Sequence, residues 1–368
     1  MRIGMIAPLE IRVPPVAYGG IELVVSLLTD ELVRRGHEVT LFASGDSVTD
    51  ARLVPACSTH LRGTSHHKGI LNVMNVAACL AQADSFDVIH NHTGYEGMAV
   101  AGLACRPMLS TIHGISGDDW LTVFAHYQGW YNTLSSSFKR ELPFKHQFVG
   151  VIHNGLDIDS YPFNGDAGRG DHLLFLGRIS REKGAHLAIS VARRLGRRLV
   201  LAGNVGGDDE AYFRKFVLPQ IDGDQVQYVG EVGYDRKRDL LQQPHCLLAP
   251  LTWEEPFGLF MVEALACGTP VVGLNRGSVP EVVKHGETGF VVDTLEEMAT
   301  AVERVDSIER WRCRLDAQRR FDYHTMVDRY LAAYERVASE AGVPVRPERG
   351  VAPDMSAQAV GSLRRSER

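Results

Sequence analysis

Short apolar runs alternate with amphipathic stretches along this chain, which predicts strands that are each followed by a helix. The first repeat of this pattern is an apolar run at residues 2–8, followed by a loop rich in Pro and Gly. Apolar residues then stand at positions 21, 24, 25, 28 and 32. That spacing is typical of one face of an α-helix. Gly36 is predicted to end this helix, and residues 39–43 form the next predicted strand.

The same alternation continues through two consecutive sets of units. Further strands are predicted at residues 86–90, 108–113, 148–152, 172–177, 198–203, 226–229, 246–251 and 270–274, with a short extended segment at 287–292. Alternating strands and helices form parallel sheets that helices cover on both faces. A chain of 368 residues also exceeds one ordinary hydrophobic core. We therefore predict an α/β fold with two doubly wound, Rossmann-like domains, joined near residues 154–171.

Composition and charge exclude several classes of protein. Hydrophobic residues make up 45% of the chain and charged residues 23%, as in soluble globular proteins. No run approaches the ~20 apolar residues of a membrane-spanning helix, and the net charge of -6 does not favour nucleic-acid binding. The six cysteines form no CxxC pair, which favours reduced thiols in a cytoplasmic protein. A peripheral position at the inner face of a membrane is compatible with this composition but unsupported, and the oligomeric state stays open.

The segment Trp253-Glu254-Glu255-Pro256-Phe257-Gly258 carries the most specific candidate chemistry. Pro256 suits the first turn of a helix, and the apolar run from Leu259 to Ala266 predicts a buried helix. Glu255 then lies at the mouth of that helix, and Glu263 lies one to two turns inside it. A helix N-terminus favours an anion. Two carboxylates beside it suit a ligand with a phosphate at one end and hydroxyls at the other, such as a nucleotide sugar.

Basic residues and glycines elsewhere in the chain are candidates for binding the phosphates of such a ligand. Arg178 and Lys183 follow a predicted strand, where they could neutralise a diphosphate, although a solvated turn is the commoner fate of such a pair. Gly19 and Gly20 lie between a strand and a helix, and they suit either a phosphate site or a plain tight turn. They do not form the dinucleotide or P-loop fingerprint, which weighs against a dehydrogenase or an NTPase.

His113 ends a predicted strand, where α/β sheets face their ligands, but a structural histidine is an equal alternative. Asp157 and Asp159 form a DxD triplet of the kind that holds a cation on a nucleotide sugar. They follow the turn signal Asn154-Gly155, so we favour turn chemistry. We therefore expect no metal site and no required cofactor.

Four segments together resemble glycosyltransferase family 4. They are Glu255-Pro256-Phe257-Gly258 with Glu263, the loop from Gly177-Arg178 to Lys183-Gly184, Asn154-Gly155-Leu156-Asp157, and Gly289-Phe290-Val291-Val292. The resemblance covers about residues 1–340 and implies the GT-B fold, in which two Rossmann-like domains face each other across a cleft. It implies an acceptor-side domain at residues 1–155, a nucleotide-sugar domain at residues 156–321 and a helix at residues 322–341 that crosses back to the first domain. Residues 342–368, rich in Pro, Arg and Ser, are predicted to be a disordered tail.

The resemblance also implies a role for each candidate residue. Glu263 would bind the ribose hydroxyls and Glu255 would lie by the hydroxyls of the donor sugar. Arg178 and Lys183 would hold the diphosphate, and His113 would lie near the reacting centre. Gly19 or Gly20 would lie at the phosphates. The backbone N–H groups of Phe257, Gly258 and Leu259 would contact the sugar or the phosphate.

The reaction implied by the resemblance is transfer of a hexose from a nucleoside diphosphate sugar to a hydroxyl acceptor, with retention of configuration. The leaving diphosphate takes the acceptor proton on the same face of the sugar. UDP-glucose is the first donor hypothesis and GDP-mannose the second, while the acceptor is open. The alternatives are a sugar phosphorylase or nucleotide-sugar epimerase with the same fold, a non-catalytic nucleotide-sugar-binding protein and, with least support, an oxidoreductase.

Overall fold

The structure is a computed structural model that describes residues 1–115, 117, 119–142, 147–165 and 170–343. Among these residues, seven parallel strands form a first sheet in the order β3-β2-β1-β4-β5-β6-β7. The strands are β1 Arg2–Ile6, β2 Glu38–Ala43, β3 Arg52–Pro55, β4 Val88–Asn91, β5 Met108–Ile112, β6 Trp130–Thr133 and β7 Phe148–Val151. The helices of this part are α1 Gly20–Arg34, α2 Lys68–Leu80, α3 Tyr95–Val100, α4 Trp120–His126 and α5 Ser136–Glu141.

The second sheet contains six parallel strands within the described residues, in the order β10-β9-β8-β11-β12-β13. Its strands are β8 Leu173–Leu176, β9 Leu199–Ala202, β10 Val226–Tyr228, β11 Cys246–Ala249, β12 Val271–Leu274 and β13 Gly289–Val292. The helices that follow β7 are α6 Ala185–Leu195, α7 Glu210–Tyr212, α8 Tyr234–Gln242, α9 Leu259–Ala266, α10 Val279–Val282, α11 Leu295–Glu303, α12 Arg310–Phe321 and α13 Tyr323–Glu340.

In both sheets the order in which successive strands are added reverses at the centre, between β1 and β4 in the first sheet and between β8 and β11 in the second. In open α/β sheets, ligands bind at the carboxyl ends of the strands beside such a switch point. The loops after β1, β5, β8 and β11 all line one cleft between the two sheets. The order of strands therefore directs both halves of the molecule toward the same cavity.

The pattern of apolar positions predicts most strands of both sheets, but it misses β3 and β6. Strand β3 is half-exposed at the edge of the first sheet and therefore lacks a continuous apolar run. The prediction for Pro256 was wrong, because helix α9 begins at Leu259 and Gly258 is its N-cap, with φ +77°. Most of the predicted tail, residues 344–368, lies outside the described residues.

The chain passes between the two sheets twice, and the two passages touch. The N–H of Leu156 donates to the carbonyl of Phe321 at 2.8 Å, and the N–H of Tyr323 donates to the carbonyl of Leu156 at 3.0 Å. Helix α13 then packs on α1, with Tyr330 and Tyr334 fully buried in the core of the first sheet. Both passages lie near residues 155 and 321, where the sequence predicts the domain boundaries; these boundaries stay a prediction.

Glu31 joins α1 to α13 and should make stability depend on acid pH. Burial alone would raise its pKa, but hydrogen bonds from Arg34, Arg35 and His324 outweigh burial and lower the pKa to about 2. The carboxylate therefore stabilises the fold above pH 4.5, the ordinary value, and loses this contribution as pH falls toward 2.

We expect the unfolding free energy of Glu31→Gln to lie below that of the unmodified chain at pH 6, with the gap closing as the pH falls from 4.5 toward 2. Urea unfolding at a series of pH values measures this gap. Glu335→Gln, an exposed change on α13, serves as the control and should stay within about 0.5 kcal/mol throughout. A gap that stays constant with pH would contradict the prediction.

Candidate active site

A cavity of about 380 Å³ lies between the carboxyl ends of the two sheets. The first sheet contributes Gly19 and Gly20 before α1, and His113 after β5. From the second sheet the cavity is lined by the candidate residues Arg178, Lys183, Glu255, Phe257, Gly258, Leu259 and Glu263. The structure therefore brings together, around one space, all the side chains and backbone groups that the sequence singles out as a nucleotide-sugar site.

Two helix N-termini meet at this cavity. Helix α1 begins at Gly20, and a Cβ atom on Gly20 would lie 3.2 Å from the Leu259 side chain that opens α9. Within the described residues, the backbone N–H groups of Phe257, Gly258 and Leu259 donate to no backbone carbonyl. Free N–H groups and the partial positive charge of a helix N-terminus bind anions. The junction of α1 and α9 is therefore suited to phosphate oxygens.

Lys183 and Glu255 form an ion pair inside the cavity. Both side chains are largely buried, with exposed fractions of 17% and 9%. The indole N–H of Trp253 donates to the same Glu255 carboxylate at 3.0 Å, and the Lys183 ammonium lies 5.0 Å from the indole ring. Trp253 thus holds the pair in one place, so that a cation and a hydroxyl-accepting carboxylate stand side by side.

Arg178 is the more accessible cation, with 38% of its side chain exposed. Its guanidinium contacts the carboxylate of Glu182 and lies 3.5 Å from that of Asp209. Glu182, four residues further along the same loop, is therefore a partner of Arg178. Arg181 of the same loop lies over the rings of Tyr212 and Phe216, at 5.6 and 4.7 Å. Only one of these two arginines therefore lines the cavity.

Glu263 lies on the buried face of α9, where Tyr161 donates to its carboxylate at 2.8 Å. The ammonium of Lys237, from helix α8, lies 2.5 Å from the same oxygen. Both Lys237 and Glu263 line the cavity. Lys237 is a site residue that the sequence interpretation missed, because it lies in the charged run Asp235-Arg236-Lys237-Arg238-Asp239, which resembles a solvated helix face.

His113 follows β5 at the cavity wall and is hydrogen-bonded to a second histidine. Its Nε2 lies 2.8 Å from Nδ1 of His92, and Nε2 of His92 lies 3.2 Å from Nδ1 of His90. Burial lowers the pKa of His113 to about 4 and the pKa values of His92 and His90 well below their ordinary range. The three rings are therefore neutral at physiological pH.

The Asp157-Ile158-Asp159 triplet is not among the residues that line the cavity. It forms a short 3₁₀ turn, and Asp159 pairs with Arg314 at 3.1 Å. Within the described residues, no group of three or more His, Cys, Asp or Glu side chains is arranged to hold a metal ion. Among the same residues, no helix is both long enough and apolar enough to cross a bilayer.

The loop that carries Arg178 and Lys183 closes on Gly184, which is the N-cap of α6 with φ +79°. A Cβ atom there would lie 2.1 Å from the carbonyl oxygen of Pro250. We expect Gly184→Ala to cost at least about 2 kcal/mol more than Gly196→Ala, because Gly196 has a similar φ of +63° but open space around it.

Urea unfolding of the two variants measures this difference and separates the steric clash from the cost of the left-handed backbone. Equal losses in both variants would contradict the close approach of Pro250.

Comparison with known families and structures agrees with this geometry. Residues 18–160 match the family model described as Glycosyltransferase Family 4, and residues 162–324 match that described as Glycosyl transferases group 1. The chain is 27% identical over 387 residues to the phosphatidyl-myo-inositol mannosyltransferase of Mycobacterium tuberculosis, covering 92% of this chain and 97% of that protein.

Two solved structures have the same architecture. AviGT4, a glycosyltransferase involved in avilamycin A biosynthesis, is 28% identical, with a TM-score of 0.70 over 92% of this chain and 98% of that one. HepE of Anabaena, in complex with UDP and glucose, is 20% identical, with a TM-score of 0.72 over 91% of this chain and 100% of that one.

Proposed function

Because the chain belongs to glycosyltransferase family 4 and is a hexosyltransferase with the GT-B fold, we propose that it is a retaining enzyme. It moves a hexose from a nucleoside diphosphate sugar to a hydroxyl acceptor. The observation that carries this proposal is one cavity that, among the described residues, joins two helix N-termini, three cationic side chains and three carboxylates.

The charges along the cavity support one orientation of the donor. Glu263 is buried on α9 beside Lys237, and in this proposal it accepts hydrogen bonds from ribose hydroxyls. The diphosphate lies between Arg178, Lys183 and the N-termini of α1 and α9, where N–H groups and positive charge stabilise it. Glu255, next to Lys183, accepts from hydroxyls of the sugar. The sugar then faces His113 and the first sheet, which supports an acceptor site on that side of the cleft.

The chemistry follows from this placement. The bond between the anomeric carbon and the diphosphate oxygen breaks, while the acceptor oxygen bonds to the same face of that carbon. The acceptor proton passes to the departing diphosphate, so the reaction needs no protein base. The transition state places growing negative charge on the diphosphate, and fixed positive groups stabilise it more strongly than the ground state. Arg178, Lys183 and the two helix N-termini supply these groups.

Neither carboxylate acts as a nucleophile in this proposal. Glu255 is already paired with Lys183 and Trp253, and Glu263 with Lys237 and Tyr161. A glycosidase instead uses two carboxyl groups that flank the scissile bond, one of them as an acid. Carboxylates held by ammonium and indole N–H groups are better suited to orient hydroxyl groups.

A panel of nucleoside diphosphate sugars tests the proposal, with UDP-glucose as the first donor and GDP-mannose as the second. We expect one donor to raise the melting temperature of the protein and to be slowly hydrolysed without an acceptor. NMR of the product with a hydroxyl acceptor then gives the anomeric configuration. An inverted product rejects the retaining mechanism, and release of sugar phosphate that requires inorganic phosphate favours a phosphorylase instead.

A further inference from the structure

Behind His113 a line of hydrogen bonds runs from the cavity into the core of the first sheet. It passes from His113 to His92 and His90, and it ends on Thr111, Asn132, Tyr330 and Tyr334. Strands β4, β5 and β6 supply His90, Thr111 and Asn132, His92 and His113 directly follow β4 and β5, and helix α13 supplies the two tyrosines. His90 is completely buried and His92 is 2% exposed. A line of polar groups this deep must have a consistent arrangement of protons.

Asn132 sets the direction of these bonds. The hydroxyl of Thr111 donates to the side-chain oxygen of Asn132 at 2.8 Å. The Thr111 oxygen is therefore an acceptor for Nε2 of His90, which lies 2.7 Å away, so the proton of His90 is on Nε2. Nδ1 of His90 then carries a lone pair, which accepts from the hydroxyl of Tyr334 at 2.7 Å.

The hydrogen bonds between His90 and the cavity have the same donor-to-acceptor order. Nε2 of His92 lies 3.2 Å from the same Nδ1 of His90 that accepts from Tyr334. An unprotonated Nε2 would direct a second lone pair at this acceptor, and the two would repel, so Nε2 carries the proton of His92 and the Nδ1 lone pair of His90 is shared by two donors. Nδ1 of the neutral His92 is then an acceptor, and it lies 2.8 Å from Nε2 of His113. Nε2 of His113 is therefore the protonated nitrogen, and Nδ1 of His113 keeps its lone pair.

We propose that His92 is a positioning residue that holds His113 as the Nε2–H tautomer, so that Nδ1 of His113 accepts a hydrogen bond from a hydroxyl group in the cleft. This rests on the proposed function, because the hydroxyl belongs to the sugar donor or its acceptor. Within the described residues, Nδ1 of His113 has no protein partner. A neutral ring with this tautomer offers no proton to the cavity, so His113 orients a hydroxyl and does not act as a general acid.

The tautomer is read directly by NMR of the full chain with ¹⁵N-labelled histidine, because the protonated and bare ring nitrogens have well-separated shifts. The signals of His113 are assigned by their loss in His113→Gln. We expect one tautomer, protonated at Nε2, in the ligand-free protein at neutral pH. A His113 protonated at Nδ1, or one that samples both tautomers, overturns the proposal.

Three variants separate positioning from packing. In His92→Leu the acceptor for Nε2 of His113 is gone, so His113 should sample both tautomers. The kcat/KM for transfer should fall by about 3- to 10-fold, the value of one hydrogen bond. His92→Asn places an amide oxygen near the former Nδ1 and should restore the single tautomer and most of kcat/KM. His245→Leu removes an equally buried imidazole from the second sheet and should leave the His113 signals unchanged.

An unchanged His113 tautomer in His92→Leu overturns the proposal, as does an equal loss of the tautomer in His92→Leu and His92→Asn. If His92→Leu does not fold, the tautomer of His113 in the unmodified protein still tests the proposal. This measurement needs no donor and no turnover, so a failed tautomer assignment is distinguishable from a failed transferase assignment, which the donor panel tests separately.

Discussion

Replacing Arg178 with Ala should nearly abolish sugar transfer while the protein stays folded. The guanidinium lines the cavity and is partly exposed, so its loss leaves no deeply buried carboxylate unpaired. In the proposed transition state it stabilises the charge that develops on the diphosphate. Removal of one such group costs about 100- to 1,000-fold in kcat. Initial rates of donor hydrolysis and of transfer to an acceptor measure the effect, and the melting temperature reports on the fold.

The loop offers a matched control for this prediction. Arg181 lies three residues further on, but it stacks on Tyr212 and Phe216 outside the cavity. Arg181→Ala should therefore keep kcat within a few-fold, because it removes the same charge from the same loop. Arg178→Lys should fall between the two, since it keeps the charge but loses the bidentate fork. Near-normal turnover in a folded Arg178→Ala protein would reject the proposed role.

Glu263→Gln should weaken binding of the donor more than it slows the chemical step. The change removes the negative charge that the ribose hydroxyls are proposed to bind, and it leaves the Lys237 ammonium without its carboxylate partner. A hydrogen bond to a charged group contributes about 1.5–3 kcal/mol, so we expect a roughly 10- to 150-fold weaker Kd for both the donor and the free nucleoside diphosphate. Titration calorimetry measures both constants.

Deoxynucleotides distinguish contact with the ribose from a general loss of affinity. A donor nucleotide that lacks a ribose hydroxyl should bind the unmodified protein more weakly, whereas Glu263→Gln should bind the two nucleotides almost equally. Glu254→Gln serves as the control, because this half-exposed carboxylate contacts Arg276 and the N–H of Gly277 and does not line the cavity. The proposed contact is wrong if Glu263→Gln still discriminates between the nucleotides as strongly as the unmodified protein does.

Much of the fold could be predicted because its determinants are local. The bounds of α9, Leu259–Ala266, follow from an apolar run between Gly258 and Gly268, both of which have positive φ. The predicted alternation of strands and helices is also confirmed, although β3 and β6 were missed. Their residues do not form a long apolar run, and their pairing with β2 and β5 decides that they are strands.

For the candidate site residues, too, local sequence patterns were informative and long-range contacts were not visible. The candidates Arg178, Lys183 and Glu255, in the loops after β8 and β11, could be proposed from the sequence, because glycines, a proline and charged residues occur together within a few positions. Lys237 could not be identified, since its charged neighbours conceal the one side chain that turns toward Glu263, 26 residues away. The partnership between Arg178 and Glu182 was likewise hidden, although the two are only four residues apart.

By itself, therefore, the sequence determined the α/β class, the two sets of strand–helix units and the candidate residues for a donor site, because periodicity and loop composition act over short distances. Only the tertiary structure decided which side chains meet. The tyrosine that donates to His90 stands 244 residues away from it, and it reaches the first sheet because the last helix crosses back. The proton arrangement that we propose at His113 rests on such long-range contacts, which carry no local pattern in the chain.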